Sequence, residues 1–362
     1  MAREVLKAWP QPGELHLPLD SKIPEKGLKP GKNVAYGQLL ARSRKPLVGH
    51  LRAPAAGEIT ALEPGFVTLV PGSAGTAAPP PALDITSLKG PDLKEALLDL
   101  GLKLPPNPRP GEKVVISGLD PEPDLGLAGV LWSEWPQIMA DGLETVKNLY
   151  PDNDLLIARP PELICPENYK SRLVSNPYPY TLPPFLKTVL GFEYELTPKA
   201  FFDSRTVYLL GQTRRQGRPP GLWPMTVQTQ NYLVPPGLRP RDILKTVSLE
   251  PLAGDAVVLG GLRRGRPTAR LDDGLGPEVI SVHLVRARFL GPRPGPCRRC
   301  GSCRRVCPLN LPIDSLTDKP LSSWPDLISP AREILISCPD CGQCSLACPA
   351  NRPLRVLTSP VP

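Results

Sequence analysis

Eight of the nine cysteines in this 362-residue chain form two copies of one pattern. A proline follows the last cysteine of each copy, and the two runs are Cys297, Cys300, Cys303 and Cys307, then Cys338, Cys341, Cys344 and Cys348. Three thiolates spaced at intervals of three residues can wrap one face of an iron–sulfur cube, while the fourth points toward a second cube. The spacing therefore predicts two [4Fe–4S] clusters with crossed ligands. Cluster 1 takes Cys297, Cys300, Cys303 and Cys348, and cluster 2 takes Cys338, Cys341, Cys344 and Cys307.

Other roles for cysteine fit the pattern poorly. Zinc sites also use cysteines separated by two residues, but the third and fourth cysteines of each run do not suit one tetrahedral ion. Structural disulfides are not expected, because no export signal accompanies the cysteines. Cys165 stands alone, and we interpret it as a small, buried apolar residue.

Proline accounts for 51 residues and glycine for 31, which points to many loops. Even so, 41% of the chain is apolar, and the prolines are scattered between short Val, Leu and Ile runs. Because proline removes a helix hydrogen bond and clashes with the preceding turn, a helical bundle is excluded. We expect loop-rich globular domains with short elements.

The net charge of +8 permits acidic partners. Aromatic residues make up only 5% of the chain, and no stretch interleaves them with basic residues, so nucleic-acid binding is not expected. Arginines near the cysteine runs either form a solvated surface or raise the cluster potentials and present a docking face to acidic donors. These residues are Arg293, Arg298, Arg299, Arg304, Arg305, Arg332, Arg352 and Arg355.

The sequence shows neither the apolar core of a secretory signal nor a run of about 18 consecutive apolar residues. A cytoplasmic location is therefore predicted. Any membrane association is expected to be peripheral, on the cytoplasmic face of the inner membrane, through partner subunits.

An α+β multidomain fold with four domains is predicted. Residues 1–75 comprise an irregular lead to residue 30 and a small β sandwich-hybrid, in which segment 53–59 is interpreted as a β-hairpin. Biotinyl and lipoyl carriers share such a pattern, but their modified lysine is missing here. His50 is interpreted as a strand residue, and 71–83 as a linker.

Residues 84–215 are predicted to form an α/β Rossmann-like domain without its cofactor. Strands over 112–119 and 154–160, with a helix over 133–150 between them, indicate a βαβ unit after a helix over 91–104. No glycine-rich phosphate motif precedes a helix.

Residues 216–288 are predicted to form a β-grasp (SLBB-like) domain, with strands around a short helix at 239–244. Residues 289–362 are predicted to be a helical dicluster ferredoxin domain. Helix-like segments at 311–316 and 329–336 lie between its two cysteine runs.

This order of domains, ending in tandem cysteine runs, resembles the C subunit of the Rnf ferredoxin:NAD oxidoreductase complex over nearly the whole chain. The segments that resemble the family's N-terminal region, its hairpin, its acidic stretch and the opening of its SLBB-type domain are 22–24 with 37–39, 50–57, 118–123 and 231–237. The resemblance implies an iron–sulfur subunit of a multi-subunit redox complex. Its partners would be other subunits and a flavoprotein or ferredoxin donor.

One part of the family's pattern is missing. The family's flavin loop should follow the helix at 91–100, but Pro105, Pro106, Pro108 and Pro110 stand there. Proline offers no amide, whereas a phosphate cradle needs successive free N–H groups. The acidic stretch keeps Glu122 but has Pro121 where the family has cysteine. FMN and NAD are therefore not expected to bind.

The leading hypothesis is an iron–sulfur electron-transfer subunit that relays single electrons through two [4Fe–4S] clusters. It would have no NADH dehydrogenase activity of its own. Two alternatives stay open. One is a flavin-containing, NADH-oxidising subunit of an Rnf-type complex, and the other is a non-redox module whose clusters are structural.

Overall fold

The computed structural model describes residues 6–72, 78–175, 177–192, 200–290, 294–316 and 338–355. Its strands form one six-stranded sheet, two four-stranded sheets and one three-stranded sheet, so the chain is a mixed α+β protein, as predicted. No helix in these ranges is long and apolar enough to cross a membrane. The predicted segment 329–336 and part of the linker lie outside the described residues.

Two small sheets near the N-terminus share a buried core. Their strands are β2 (Leu15–Pro18), β3 (Ile23–Pro24), β4 (Lys32–Val34), β5 (Leu39–Arg42), β6 (Leu51–Arg52), β7 (Gly57–Glu63) and β8 (Phe66–Pro71). The antiparallel order is β2-β8-β7-β4 in one sheet and β3-β5-β6 in the other. Alternate side chains face inward, as a strand requires, and Leu15 and Leu17 are completely buried.

Two sequence predictions are wrong in this region. The lead is not irregular, because it contains β2, β3 and a further strand, β1 (Lys7–Ala8). The strands β1 and β3 have two residues each and carry no periodicity from which they could be predicted, whereas the alternation in β2 was overlooked. The hairpin consists of β7 and β8, which turn at Pro64 and Gly65. The stretch 53–56 instead connects β6 of the three-stranded sheet to β7 of the four-stranded sheet. Pro54 in this connection has no N–H with which to form a hydrogen bond between strands.

The predicted βαβ unit is confirmed. The strands β9 (Val114–Ser117), β10 (Leu155–Arg159), β11 (Lys170–Leu173) and β12 (Phe201–Asp203) form a parallel sheet in the order β11-β10-β9-β12. The helices of this region are α1 (Gly90–Asp99), α2 (Leu127–Glu134), α3 (Pro136–Leu149), α4 (Pro183–Val189) and α5 (Ser204–Gln216). The helix predicted over 133–150 is two helices, because Pro136 disfavours helical geometry at Trp135, which has φ −126° and ψ 45°.

The six-stranded sheet joins distant parts of the chain. Its strands are β1, β13 (Trp223–Val227), β14 (Gln230–Val234), β15 (Ala256–Leu259), β16 (Arg266–Thr268) and β17 (Ser281–Val285), with helix α6 (Pro240–Thr246) beside them. The order is β1-β14-β13-β17-β15-β16. The β-grasp assignment of this region stays a prediction. Short 3₁₀ turns span Ala287–Phe289 and Ile313–Leu316. The second of these turns lies within the helix-like segment that was predicted at 311–316.

Helices α3 and α5 cross at two glycines. A Cβ atom at Gly211 would lie 1.9 Å from the carbonyl oxygen of Ile138, and one at Gly142 would lie 2.0 Å from that of Val207. Both distances are far below contact distance, so the absence of side chains lets the two helices approach each other.

We expect Gly211→Ala to destabilise the protein by about 1–3 kcal/mol, because the methyl group must push α3 and α5 apart. Gly129→Ala in α2 is the matched control, since a Cβ atom there meets nothing within 4 Å. The free energy of unfolding of the control should rise by up to about 1 kcal/mol, because alanine has a higher helix propensity than glycine. Urea unfolding of the two variants measures both effects, and equal stabilities would contradict the helix crossing described here.

Candidate metal centre

The two cysteine runs have the same backbone conformation. Each position of the first run has a counterpart in the second, and a left-handed residue occurs at three matched pairs of positions. The pairs are Arg299 (φ 51°) and Asp340 (φ 54°), Gly301 (φ 67°) and Gly342 (φ 75°), and Asn310 and Asn351 (both φ 50°). The sequence repeat is therefore also a structural repeat.

A short helix carries the third cysteine of each run. These helices are α7 (Ser302–Arg305) and α8 (Gln343–Leu346). Cys303 and Cys344 are buried in one small core with Ile313 and Leu354, and Cys348 packs against it. The two runs thus face each other, which is the arrangement that ligands crossing between runs would need.

Backbone amides point at two of the sulfur atoms. The N–H of Arg299 donates a hydrogen bond to Cys297 Sγ, and that of Leu311 donates one to Cys307 Sγ, both at 3.4 Å. Hydrogen bonds to ligand sulfurs stabilise negative charge there and are one means by which proteins tune cluster potentials.

Burial changes the acidity of the thiols. It raises the pKa of Cys303 and of Cys341, and it raises the pKa of Cys344 to about 12. Negative charge on Cys338 and on Cys307 further raises the pKa of Cys341.

The exposed Cys300 contrasts with these buried thiols. A hydrogen bond with Ser302 lowers the pKa of Cys300. Cluster ligands bind as thiolates, so assembly of iron on the buried cysteines must displace protons.

No group of three or more His, Cys, Asp and Glu side chains in the described ranges has a geometry that would hold a metal ion. The fit of an iron–sulfur cluster to the runs therefore rests on the donor set and the backbone. All eight thiols are free of disulfides, and thiolate is the ligand that such clusters take. The ligand assignment to individual clusters stays a prediction.

Contacts from distant residues hold the second run in place. The Tyr178 hydroxyl donates to the carbonyl oxygen of Cys341. Arg355 forms a two-pronged ion pair with Asp340, at 2.6 and 2.8 Å, and donates to the carbonyl oxygen of Gly265 at 2.9 Å. Arg264 Nε donates to the carbonyl oxygen of Asp340 at 3.1 Å. This run is therefore attached to residues far away in the chain.

The loop at 260–265, after β15, is the middle part of that attachment. The buried Glu122 carboxylate accepts the backbone N–H groups of Arg263 and Arg264, at 2.7 and 3.0 Å. Asp124 accepts the N–H of Leu262 at 3.2 Å and lies 3.3 Å from His283. Burial raises the pKa of Glu122 to about 7. Sequence reasoning noticed Glu122 only as part of a resemblance and missed these contacts.

A cavity of about 940 Å³ lies outside the carboxyl ends of β9 and β10, where ligands commonly bind in sheets of this kind. Three acidic residues, Asp120, Glu122 and Glu162, are among those that line it, together with Tyr178. Asp120 Oδ1 already accepts the first amides of α2, from Leu127 and Ala128, at 3.1 and 2.9 Å. That helix N-terminus is therefore occupied by a carboxylate.

The segment where the family would have its flavin loop uses its amides internally. The N–H of Leu102 donates to the carbonyl oxygen of Leu97, and that of Leu104 to the carbonyl oxygen of Leu47, both at 3.0 Å.

His50 accepts the N–H of Ser43 at 3.1 Å, and burial lowers the pKa of its imidazole. Cys165, the one cysteine outside the two runs, is half-buried on the wall of the 940 Å³ cavity, and burial raises the pKa of its thiol.

Residues 296–352 match the family described as "4Fe-4S dicluster domain". Iron–sulfur binding by the C-terminal domain is thereby confirmed. No curated protein matches the chain.

Two solved structures of an NAD+-reducing [NiFe]-hydrogenase are similar to part of the chain. The air-oxidised form has a TM-score of 0.40 and 15% identity, over 57% of this chain and 46% of that one. The H2-reduced form has a TM-score of 0.45 and 13% identity, over 77% and 62%. The chain thus spans less than two thirds of the hydrogenase chains, and a likeness this remote assigns no activity.

Proposed function

We propose that this chain is an electron-relay subunit of a multi-subunit redox complex and passes single electrons through two [4Fe–4S] clusters. The ligands of cluster 1 are Cys297, Cys300, Cys303 and Cys348, and those of cluster 2 are Cys338, Cys341, Cys344 and Cys307. The observation that carries the proposal is the structural repeat, in which thiols of both runs share one small core. Clusters held in facing loops would be close enough for rapid electron tunnelling.

The proposal includes the resemblance to the C subunit of Rnf-type complexes and a cytoplasmic location. In this role the parallel α/β sheet and the six-stranded sheet are the scaffold for partner subunits, and a flavoprotein or ferredoxin is the donor. Two hydrogen bonds support this role for the sheets. Tyr178, from the region of the parallel sheet, and Arg264, from the region of the six-stranded sheet, both bond to the second run.

Anaerobically reconstituted protein is expected to hold about eight iron and eight sulfide per chain, because eight cysteines have cluster spacing. Iron and sulfide analysis with electron paramagnetic resonance before and after dithionite reduction measures this. One zinc per run with no sulfide would end the proposal. Clusters that dithionite does not reduce would favour a structural role for them.

A flavin-containing subunit that oxidises NADH is the second candidate. The cavity beside Tyr178 favours it, since a flavin there would lie next to the second run. Two observations argue against this candidate. Three acidic residues line the cavity, and the amides of Leu102 and Leu104 already donate to backbone carbonyl groups.

Purified protein is expected to retain no stoichiometric flavin and to reduce no artificial acceptor with NADH, because a phosphate needs several converging free amides. Gel filtration followed by absorbance and flavin extraction tests this. One FMN per chain that NADH bleaches would promote the second candidate.

A further inference from the structure

The two halves of the repeat differ in burial, although their backbones match. In the second run Cys341 is only 7% exposed, beneath Tyr178 and the loop at 260–265. Its counterpart in the first run, Cys300, is exposed. A cluster held by the first run would therefore reach the protein surface at Cys300, whereas one held by the second would face the interior.

The two halves also differ in charge. Four exposed arginines of the first run stand where the second has uncharged or acidic residues. The matched pairs are Arg298 with Pro339, Arg299 with Asp340, Arg304 with Ser345, and Arg305 with Leu346. Because the second run folds in the same way without Arg298, Arg299 and Arg304, its turns and helix do not require arginine at these three positions, whereas Arg305 bonds to the turn that contains Cys300. No acidic residue lies between 294 and 312 in the sequence, and the first one after this stretch is Asp314.

Apolar side chains are exposed among these arginines. Val306 is 39% exposed and Leu309 is 47% exposed, whereas Ala350, the counterpart of Leu309, is buried. A surface that combines apolar contact with charge of one sign favours association steered by electrostatics and suits a short-lived complex.

We propose that this first-run face, defined as Arg298, Arg299, Arg304, Arg305, Val306 and Leu309, is the docking surface for a small acidic electron-carrier protein. The inference rests on the proposed function and adds its partner and place of contact. One electron leaves the reduced carrier and enters the chain near Cys300. The carrier is oxidised by one electron, and no atom is transferred. Electrons would thus enter at the first run, near the protein surface, and pass from there to the second run, which lies beside the cavity.

A triple charge reversal of the full chain, Arg298→Glu, Arg299→Asp and Arg304→Glu, tests the inference. Asp is chosen at 299 because Asp340 adopts the same left-handed conformation in the second run. Arg305 is kept, since it donates to the carbonyl oxygen of Cys300 at 2.8 Å. The matched control reverses three exposed cations in loops beside the N-terminal sheets, with Lys26→Glu, Lys29→Glu and Arg44→Glu, for the same change in net charge.

The probe is an acidic [2Fe–2S] ferredoxin. Its binding in the oxidised form is measured by calorimetry, and electron transfer from its reduced form by stopped-flow absorbance. We expect the reversal to weaken binding and slow transfer at least about tenfold at low salt, with a smaller effect at high salt. The control should stay within about twofold of the unmodified chain. Iron content and reduction by dithionite should be equal in all three proteins.

Binding and transfer that are unchanged in the first-run variant, or reduced as much in the control, would overturn the docking surface. An unmodified chain without iron and sulfide, or one that dithionite does not reduce, would instead overturn the proposed function. Because calorimetry with oxidised ferredoxin does not depend on turnover, the two failures are distinguishable.

Discussion

Replacing Cys307 by serine is expected to remove the cluster built on Cys338, Cys341 and Cys344, and to leave the cluster of its own run in place. In runs with this spacing the fourth cysteine ligates the cluster of the other run, and a serine hydroxyl is a far weaker iron ligand than a thiolate. Cys348→Ser should have the reciprocal effect, because Cys348 is the fourth cysteine of the second run.

Double substitutions make this test independent of spectral assignment. Cys307→Ser alone should lower the iron content to about four per chain, and adding Cys338→Ser should lower it no further, because both residues serve one cluster. Adding Cys297→Ser to Cys307→Ser should instead remove nearly all iron. Cys165→Ser is the control and should keep the full content. The opposite pattern among the doubles would show that each run ligates its own cluster.

The stability of the protein is expected to fall between about pH 4.5 and pH 7 through Glu122. Burial raises the pKa of this carboxyl group from 4.5 to about 7, so the folded state holds the proton more tightly than the unfolded state. The stabilisation is complete below the unfolded value and is lost as the pH rises through the folded value. The difference corresponds to at most about 3 kcal/mol.

Glu122→Gln should be less stable than the unmodified protein at pH 4.5, because the amide NH2 cannot accept the second backbone N–H, and the deficit should shrink or reverse at pH 8, because the amide carries no charge to bury. Urea unfolding at several pH values gives the difference between the two proteins, which cancels the titration of other groups. Glu95→Gln, at an exposed position of α1, is the control and should show no pH-dependent difference. A constant difference between the Glu122 variant and the unmodified protein would contradict the raised pKa.

Local patterns in the sequence predicted local structure well. The strands β9 and β10 were predictable because buried Val and Ile runs were bounded by turn residues, and the helix between them because its apolar residues recur at helical spacing. The break at Trp135 was overlooked, although Pro136 carried the signal for it. The strand β1 was not predictable, since Lys7 and Ala8 acquire their structure only by pairing with Tyr232 and Leu233.

Cysteine spacing by itself determined that this chain has an iron–sulfur domain, because the ligands of a cluster come from short runs whose geometry is set locally. Only the tertiary structure decided that Cys341 in the second run is enclosed while its counterpart Cys300 in the first run is exposed. Tyr178 contacts Cys341 across 163 residues of sequence, and Glu122 holds the backbone of Arg263 across 141. Contacts over such separations form only when the sheets are packed together, and they leave no periodicity or spacing in the sequence.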